Sequence, residues 1–301
     1  MDMEVFARKI CTALKGRLGD GYKVEVKETR KNNGVILHGL LVLPEGRNVA
    51  PTIYLEPFLE AYGSGTAFEA IVQRLLDICR EEAMKGPVDM GFFRSFEQVR
   101  DRICYRLIGR KGNEGLLKEI PYVEFLDLAI CFYYAYQGDS LGDGTILIYN
   151  SHMELWGTCT AELLALAKRN TQRLFPWTCR SLEEVLEEIA GQGDGTAGAA
   201  AEGLSREVPL KVLSNVKRMY GAICMLYPDV LEGLAQREQG SFYILPSSVH
   251  EVILLADTGG GLPGELKEIV HEGDSTQVPP EEVLSDSLYR YDREERRVVM
   301  A

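Results

Sequence analysis

The sequence lacks the features that identify membrane-bound and secreted proteins. No apolar run approaches the ~20 residues that a membrane-spanning helix requires. The first residues, MDMEVFARKICTALKGRLG, are interrupted by charged side chains and contain no apolar core of a signal peptide. These absences predict a cytoplasmic protein that has no membrane partner.

Cysteine and histidine are present, but not in the spacings of metal or disulfide sites. The seven cysteines are scattered, and no two of them form a C-x-x-C pair. The four histidines include no H-x-x-x-H pattern. Because most of the cysteines lie in apolar runs, we interpret them as reduced core side chains. The sequence therefore predicts no metal ligand and no cofactor.

Positive charge is scarce, and the formal net charge is -12. A field of this sign repels nucleic acid phosphates and anionic lipid headgroups, so nucleic acid is not an expected partner. One stretch, residues 94–111, contains six basic residues (Arg94, Arg100, Arg102, Arg106, Arg110 and Lys111). It could bind a nucleotide or an acidic partner, with Arg102 and Arg106 as candidate binding residues. Alternatively, it pairs with the acidic surface elsewhere.

The order of the apolar patterns predicts an α+β fold, in which mostly antiparallel sheets pack against helices. Apolar residues recur at about every fourth position in residues 3–18, which is typical of an amphipathic helix. Apolar and charged residues alternate in Tyr22–Arg30, as in a strand with one exposed face. Asn33-Gly34 then predicts a tight turn into the next strand. A chain of 301 residues with 46% apolar content is long enough to bury a sizeable core.

A strand, turn and helix pattern at Thr52–Leu75 recurs at Thr145–Leu166. The pairs Thr52-Ile53 and Thr145-Ile146 are offset by 93 residues. Two later matches are offset by 94 residues: Tyr62-Gly63 with Trp156-Gly157, and Thr66-Ala67 with Thr160-Ala161. A period of this length favours a duplicated half-domain over a solenoid, whose repeats are shorter. The alternative is a chance likeness between two ordinary strand–turn–helix units.

These patterns divide the chain into four segments. Residues 1–90 and 91–178 are predicted to form two related helix–strand–strand–strand–helix units. Residues 179–207 contain an acidic helix and a loop rich in glycine and alanine, which is either a lid or a passive insertion. Residues 208–301 are predicted to form a C-terminal α+β unit, with a helix over residues 281–288 and a closing hairpin after it.

The segment PSSVHE, at residues 246–251, is the most suggestive polar cluster. A nucleophile requires an adjacent base, and the base requires an orienting acid. Ser248, His250 and Asp286 could form such a catalytic triad in a hydrolase. No G-x-S-x-G motif accompanies them. The alternative is a bend between two strands, in which the hydroxyl groups bind local backbone groups.

A second polar cluster follows the predicted strand at Thr145. Asn150 and His152 are candidate binding residues, because the first copy has Pro57 and Leu59 at the equivalent positions. The His-x-Glu spacing that starts at His152 also occurs in zinc deaminases, but the P-C-x-x-C part of that signature is missing. The alternative is a solvated turn.

Five stretches together resemble a family of cytosolic proteins from anaerobic gut bacteria, a domain of unknown function. They are KNNGVILHGLLV, APTIYLEPFLEAYG, LAKRNTQ, SFYILPSSVHEVILL and EEVLSDSLYRY. The resemblance covers nearly the whole chain and implies a bacterial, cytosolic protein, but it assigns no activity. The last third is also distantly similar to another bacterial family of unknown function, through Ala167–Thr171 and Pro246–His250.

We therefore expect a non-enzymatic cytosolic protein that binds or regulates a partner, such as another protein. The reason is that strong catalytic signatures are absent from a chain whose core is well specified. Two alternatives stay open: a hydrolase that uses Ser248 and His250, and a nucleotide or nucleic-acid binder that uses residues 94–111. The oligomeric state does not follow from the sequence.

Overall fold

The computed structural model describes residues 1–46, 52–83, 91–138, 142–191, 210–257 and 278–301. Within these residues the chain forms helices and three mostly antiparallel sheets, which confirms the predicted α+β class. The predicted loop rich in glycine and alanine lies outside the described residues from residue 192 onward. None of the described helices is both long and apolar enough to cross a membrane.

The chain divides into two compact units. The first comprises Met1–Arg94 and Gln137–Gly144, and the second comprises Ser95–Tyr136 and Thr145–Ala301. The predicted boundary after residue 90 lies close to the end of Met1–Arg94. The boundary predicted after residue 178 falls inside a strand, Trp177–Ser181. The division into four segments therefore stays a prediction of the sequence.

The first unit contains a three-stranded antiparallel sheet and three helices among its described residues. Its elements are α1 (Met3–Leu18), β1 (Tyr22–Arg30), β2 (Ile36–Pro44), β3 (Thr52–Tyr54), α2 (Glu56–Gly63) and α3 (Phe68–Ala83). The strand order is β1-β2-β3. Asn33 and Gly34 have positive φ angles of 59° and 71°, which allows the turn that the sequence predicted between β1 and β2.

Apolar side chains of α1, the sheet and α3 form the core of the first unit. Helix α1 begins at an N-cap, because the Asp2 carboxylate accepts a hydrogen bond from the Val5 backbone N–H at 2.8 Å. The buried face of α1 and α3 follows the helical spacing of the sequence (Phe6, Ile10, Leu14, Ile71, Val72, Leu75 and Leu76). Burial of this stripe fixes both helices against the sheet.

The next sheet has the strand order β4-β6-β5, with β7 paired to β6. The elements of this stretch are α4 (Phe96–Val99), β4 (Ile103–Gly109), α5 (Glu114–Leu117), β5 (Tyr122–Phe125), β6 (Leu128–Gly138), β7 (Gly142–Leu147), α6 (Asn150–Trp156) and α7 (Thr160–Leu174). The stretch therefore has four strands, whereas the sequence predicted three. Strand β5 was missed because it is only four residues long and pairs with β6 across a tight turn.

A third sheet closes the second unit, with the order β13-β12-β10-β11-β9-β8. Its stretch comprises β8 (Trp177–Ser181), α8 (Leu182–Gly191), β9 (Leu210–Asn215), α9 (Val230–Arg237), β10 (Phe242–Ser248), β11 (Glu251–Ala256), β12 (Tyr289–Asp292) and β13 (Arg297–Met300). The predicted closing hairpin is confirmed as β12 and β13. The helix predicted over residues 281–288 is wrong, because this segment forms turns and extended chain.

Both stretches of the predicted duplication have the same element order. Strand β3 leads into the short helix α2 and the long helix α3, and β7 leads into α6 and α7. Each of the two strands also pairs with the strand that precedes it. This order is compatible with a copied unit, and the duplication itself stays a prediction.

Candidate functional site

Arg106 and His250, which the sequence assigned to different hypotheses, both contact the ring of Tyr220. Arg106 is in the middle of β4, and His250 is in the bend between β10 and β11. The guanidinium carbon of Arg106 is 4.5 Å from the ring centroid of Tyr220. The His250 and Tyr220 rings stack with centroids 5.6 Å apart and an interplanar angle of 10°. We refer to this group as the Arg106–Tyr220–His250 stack.

Arg106 carries a charge that its surroundings do not neutralise. It pairs with Cys131 across the β4–β6 ladder, between buried neighbours on both sides. Its Nε atom is buried and has no hydrogen-bond partner. Among the described residues, no carboxylate forms an ion pair with it. Part of the Arg106 residue nevertheless keeps accessible surface.

The environment keeps Arg106 in its charged form. Burial lowers the pKa of the guanidinium, but Cys131 and Tyr220 raise the pKa by more, so that the net shift is upward. The Tyr220 ring also lies within cation–π distance, which is worth about 0.5–2 kcal/mol. A buried cation without a carboxylate usually costs several kcal/mol. The Tyr220 face and the hydrogen bond with the Cys131 side chain therefore compensate only part of that cost.

Tyr220 occupies a backbone conformation that few side chains adopt. Its φ of 53° and ψ of 34° place it in the left-handed region, which costs roughly 1–2 kcal/mol for a residue other than glycine. Its backbone N–H donates to Nδ1 of His250 at 3.1 Å. Asn215 braces the same turn, because its Oδ1 accepts from Lys217 N at 3.0 Å and its Nδ2 donates to the Met219 carbonyl at 2.8 Å. Strain of this kind concentrates at functional sites.

Gly221 allows this turn to approach the β10–β11 bend. A Cβ atom at Gly221 would overlap the Ser214 hydroxyl and the His250 carbonyl oxygen. These two groups are themselves joined, since the Ser214 Oγ donates to the His250 carbonyl at 2.7 Å. The close approach holds the Tyr220 ring between Arg106 and His250.

The hydrogen bonds of His250 define its neutral form. Because Nδ1 accepts from the Tyr220 N–H, the ring proton is assigned to Nε2. Nε2 is 3.6 Å from the Glu282 carboxylate. Asp286, the acid proposed from the sequence, is exposed. It lies between Ser285 and Ser287, whose side chains bind Asp127. The carboxylate beside His250 is therefore that of Glu282.

Ser248 has a local structural contact. Its Oγ accepts a hydrogen bond from the His250 backbone N–H at 3.0 Å, as in a turn stabilised by a serine side chain. The imidazole nitrogens of His250 are directed to Tyr220 and Glu282. The structure thus brings Ser248 and His250 into one bend without joining the hydroxyl to the imidazole.

The remaining predicted residues are hydrogen-bonded to backbone groups outside the stack. The Asn150 side chain donates to the Lys118 carbonyl at 3.1 Å. His152 accepts from the Tyr149 N–H through Nδ1, also at 3.1 Å, and so caps α6. Arg102 donates a long hydrogen bond of 3.4 Å to the Ala135 carbonyl.

Within the second unit, the part of the basic stretch that follows Arg94 does not present one continuous charged surface. Arg100 pairs with Glu97 at 2.9 Å, and Arg110 pairs with Glu124 at 2.9 Å. Arg106 lies in the middle of the stretch and contacts Tyr220. Strand position and nearby acids thus place Arg100, Arg106 and Arg110 in different environments.

Sequence reasoning missed Asp127, which lies in the turn between β5 and β6. Its carboxylate accepts from the Ser285 Oγ at 2.6 Å and from the Tyr289 hydroxyl at 2.7 Å. Burial raises the pKa of Asp127, but hydrogen bonds, first among them that of Ser285, lower it by more. The alternation of hydroxyl residues in SDSLY was the available signal. This contact gives Ser285 and Tyr289, in the EEVLSDSLYRY stretch, a structural role.

Asn170 and Thr171, in the LAKRNTQ stretch, form a second group of buried hydrogen bonds. Asn170, on α7, donates to the carbonyls of Arg100 and Ile103 at 2.8 and 3.0 Å. Thr171 accepts from the Tyr105 N–H at 3.1 Å. These polar side chains fasten α7 to the start of β4, the strand that contains Arg106.

The described part of the chain shows no cluster of metal-binding side chains. No group of three histidine, cysteine, aspartate or glutamate side chains there could hold a metal ion. A small pocket of ≈ 30 Å³ lies over the third sheet (Lys211, Leu234, Glu238, Phe242, Leu254 and Ala256). That space suits about one water molecule.

Comparison with known proteins identifies a family but no relative of known activity. No curated protein and no solved structure matches the chain. The sequence pattern of DUF5688, described as a family of unknown function, matches residues 3–293. The match spans nearly the whole chain and confirms the resemblance to a domain of unknown function. The chain therefore belongs to the DUF5688 family.

Proposed function

We propose that this protein is a non-enzymatic binding protein that takes a small organic carboxylate at the Arg106–Tyr220–His250 stack. The observation that supports the proposal is the buried Arg106 guanidinium, which forms no ion pair with a described carboxylate. Buried charges in proteins are normally paired. A ligand carboxylate would supply the missing negative charge.

The surroundings favour a carboxylate over a phosphate. The guanidinium is planar and can bind both oxygens of a carboxylate in one plane. Arg106 is the cation of the stack, and Glu282 lies 3.6 Å from His250 on its other side. Phosphate sites usually combine several cations or backbone N–H groups. A singly charged anion therefore fits this electrostatic environment better than a dianion.

A hydrolase receives less support from the geometry. The Ser248 hydroxyl accepts from the backbone N–H of His250, and Nδ1 of the same histidine accepts from Tyr220. These contacts give both side chains a role in shaping the bend. A catalytic pair would instead require the serine hydroxyl to donate to the imidazole.

The setting proposed for this function is the bacterial cytoplasm. The chain is acidic, with a net charge of -12. Several free cysteines are buried, and burial raises the pKa of the Cys104 thiol to about 12, so that it stays a thiol. We also keep the proposal that β3–α2–α3 and β7–α6–α7 derive from one duplicated unit, because their element order agrees.

Thermal and titration measurements with sodium acetate test the proposal. Arg106→Met removes the charge but keeps an apolar chain, and Arg110→Met is the control because Arg110 is partly exposed and pairs with Glu124. We expect acetate at 100 times its Kd to stabilise the native chain and R110M by about 2.7 kcal/mol. R106M should show no such stabilisation.

The ligand-free variants provide a second readout. Replacing an uncompensated buried charge with an apolar side chain is often neutral or stabilising. We therefore expect R106M without acetate to melt at the temperature of the native chain or above it. Equal stabilisation of R106M and the native chain by acetate would overturn the proposal, as would loss of binding in R110M.

A further inference from the structure

We infer that protonation of His250 releases the Tyr220 turn and uncovers Arg106, so that the site binds its carboxylate more tightly in acid. The affinity part of this inference rests on the proposed function. The release of Tyr220 does not, because it depends on contacts within the chain alone.

A hydrogen bond joins Tyr220 to His250. In the neutral imidazole, Nδ1 is the acceptor for the Tyr220 N–H at 3.1 Å. In the protonated ring both nitrogens carry protons and both are donors. Two N–H groups would then face each other. The backbone N–H of Tyr220 loses its acceptor, whether the turn moves or the ring rotates.

The side chains of Asn215 and His250 together hold the Tyr220 turn. The left-handed conformation of Tyr220 is disfavoured by its own side chain, so it persists only while its surroundings impose it. The Asn215 side chain fixes Lys217 and Met219, which precede Tyr220. The His250 ring is the acceptor for Tyr220 itself. Losing that acceptor removes the contact closest to the strained residue.

Several charged groups lie near His250. Glu282, in the turn before β12, has its carboxylate 3.6 Å from Nε2, within ion-pair distance of a charged ring. Glu251, at the start of β11, is a half-buried carboxyl near Arg218, His250 and Arg180, and desolvation is the main cause of its raised pKa. Arg218 and Arg180 both pair with Glu188, at 2.7 and 2.6 Å.

The turn is linked to Arg106 through its tyrosine. The Tyr220 ring covers the guanidinium on one side and stacks on His250. Movement of this ring exposes more of the guanidinium to an incoming anion. The added positive charge of His250 lies within roughly 10 Å of Arg106 through the stack, and it attracts the same anion. Greater access to the guanidinium and the added charge of His250 therefore both raise the affinity for a carboxylate.

Nuclear magnetic resonance of the full chain between pH 8 and pH 5 tests the inference, because acetate stays mostly ionised over this range. Nitrogen shifts of the imidazoles report the protonation state of His250, and amide exchange reports the protection of Tyr220. We expect Tyr220 exchange to rise at least tenfold as His250 becomes protonated. Acetate affinity, measured on the same samples, should rise at least threefold.

Two variants separate the switch from general effects of acid. His250→Asn offers a neutral oxygen as acceptor, so it should keep Tyr220 protected and the acetate affinity independent of pH. His152→Asn is the matched control, because His152 accepts the Tyr149 N–H at the same 3.1 Å in another part of the second unit. H152N should respond to acid as the native chain does.

The possible failures are distinct. Unchanged Tyr220 exchange while His250 becomes protonated overturns the inference, and so does a His250 that stays neutral throughout the range. An H250N variant that responds to acid like the native chain also overturns it. Release of Tyr220 without acetate binding at any pH supports the switch and overturns the proposed function.

Discussion

Single residues show where this molecule uses polar side chains for structure and where it does not. Asp127 binds Ser285 and Tyr289, which are more than 150 positions later in the chain (|i−j| of 158 and 162). Arg106 is also buried, but it forms no such pair with a described acid. The first arrangement is what stability requires, and the second is what a binding site requires.

The Asp127 contacts predict a defined loss of stability. Hydrogen bonds to a charged group contribute about 1.5–3 kcal/mol each, and the half-buried position of Asp127 places its total at the low end. We expect Asp127→Ala to lower the free energy of unfolding by about 2–3 kcal/mol at pH 7. Urea denaturation measures it. Asp286→Asn, an exposed neighbour of the two bonded serines, should stay within about 0.5 kcal/mol of the native chain.

The pH dependence of this effect has a definite sign. The pKa of Asp127 is lowered in the folded chain, so its contribution is fully present above the unfolded pKa of about 3.9. It is lost as the pH falls through the lower folded value. The difference between the native chain and D127A should therefore shrink below about pH 4. A difference that grew with acid would contradict this assignment.

At the scale of elements, the turn from Asn215 to Gly221 is the part that positions the stack. Gly221 has no room for a Cβ beside Ser214 and the His250 backbone. We expect Gly221→Ala to destabilise the protein by about 2–3 kcal/mol, because the backbone on both sides must move. Amide exchange at Tyr220 should rise as the turn is displaced.

A matched glycine in the same unit provides the control. Gly233 lies inside α9, and nothing would contact an added Cβ there. Alanine is the better helix former, so Gly233→Ala should stabilise the protein by about 0.5–1 kcal/mol. Equal effects of the two substitutions in urea denaturation would show that the close approach at Gly221 has no energetic role.

The elements also show how far the sequence could predict the fold. Helix α1 and strand β1 were predicted at their observed bounds, because their apolar periods of four and two residues are uninterrupted. Strand β8 (Trp177–Ser181) was not predicted from the sequence. Its pairing with β9 crosses a long separation in sequence, which no local pattern encodes.

The candidate site was predicted only in its parts. Arg106 stood out as one of six basic residues, and His250 as a possible base. Tyr220, which joins them, gave no signal, because its left-handed conformation depends on the bond between Asn215 and Met219 and on the His250 acceptor, which form only in the folded chain. The sequence therefore named two residues of the stack and assigned them to different functions.

At the scale of the whole molecule, the net charge of -12 opposes binding to polyanions. Two arginines of the basic stretch also have little free charge for a polyanion, because Arg100 and Arg110 already pair with glutamates. We expect no retardation of DNA or RNA in gel-shift measurements at low salt, where such binding is strongest. Retardation that is lost in an Arg102→Glu variant would instead favour the nucleic-acid alternative.

The binding of a carboxylate at Arg106 can be followed most directly through the Nε–H signal of that residue. Its Nε is buried, so its proton should exchange slowly and give a separate nuclear magnetic resonance peak. On titration with acetate, we predict that this peak shifts and saturates, while the Nε–H peaks of Arg102 and Arg110 stay in place. A stationary Arg106 peak at acetate concentrations that shift the peaks of Arg102 and Arg110 would contradict the account.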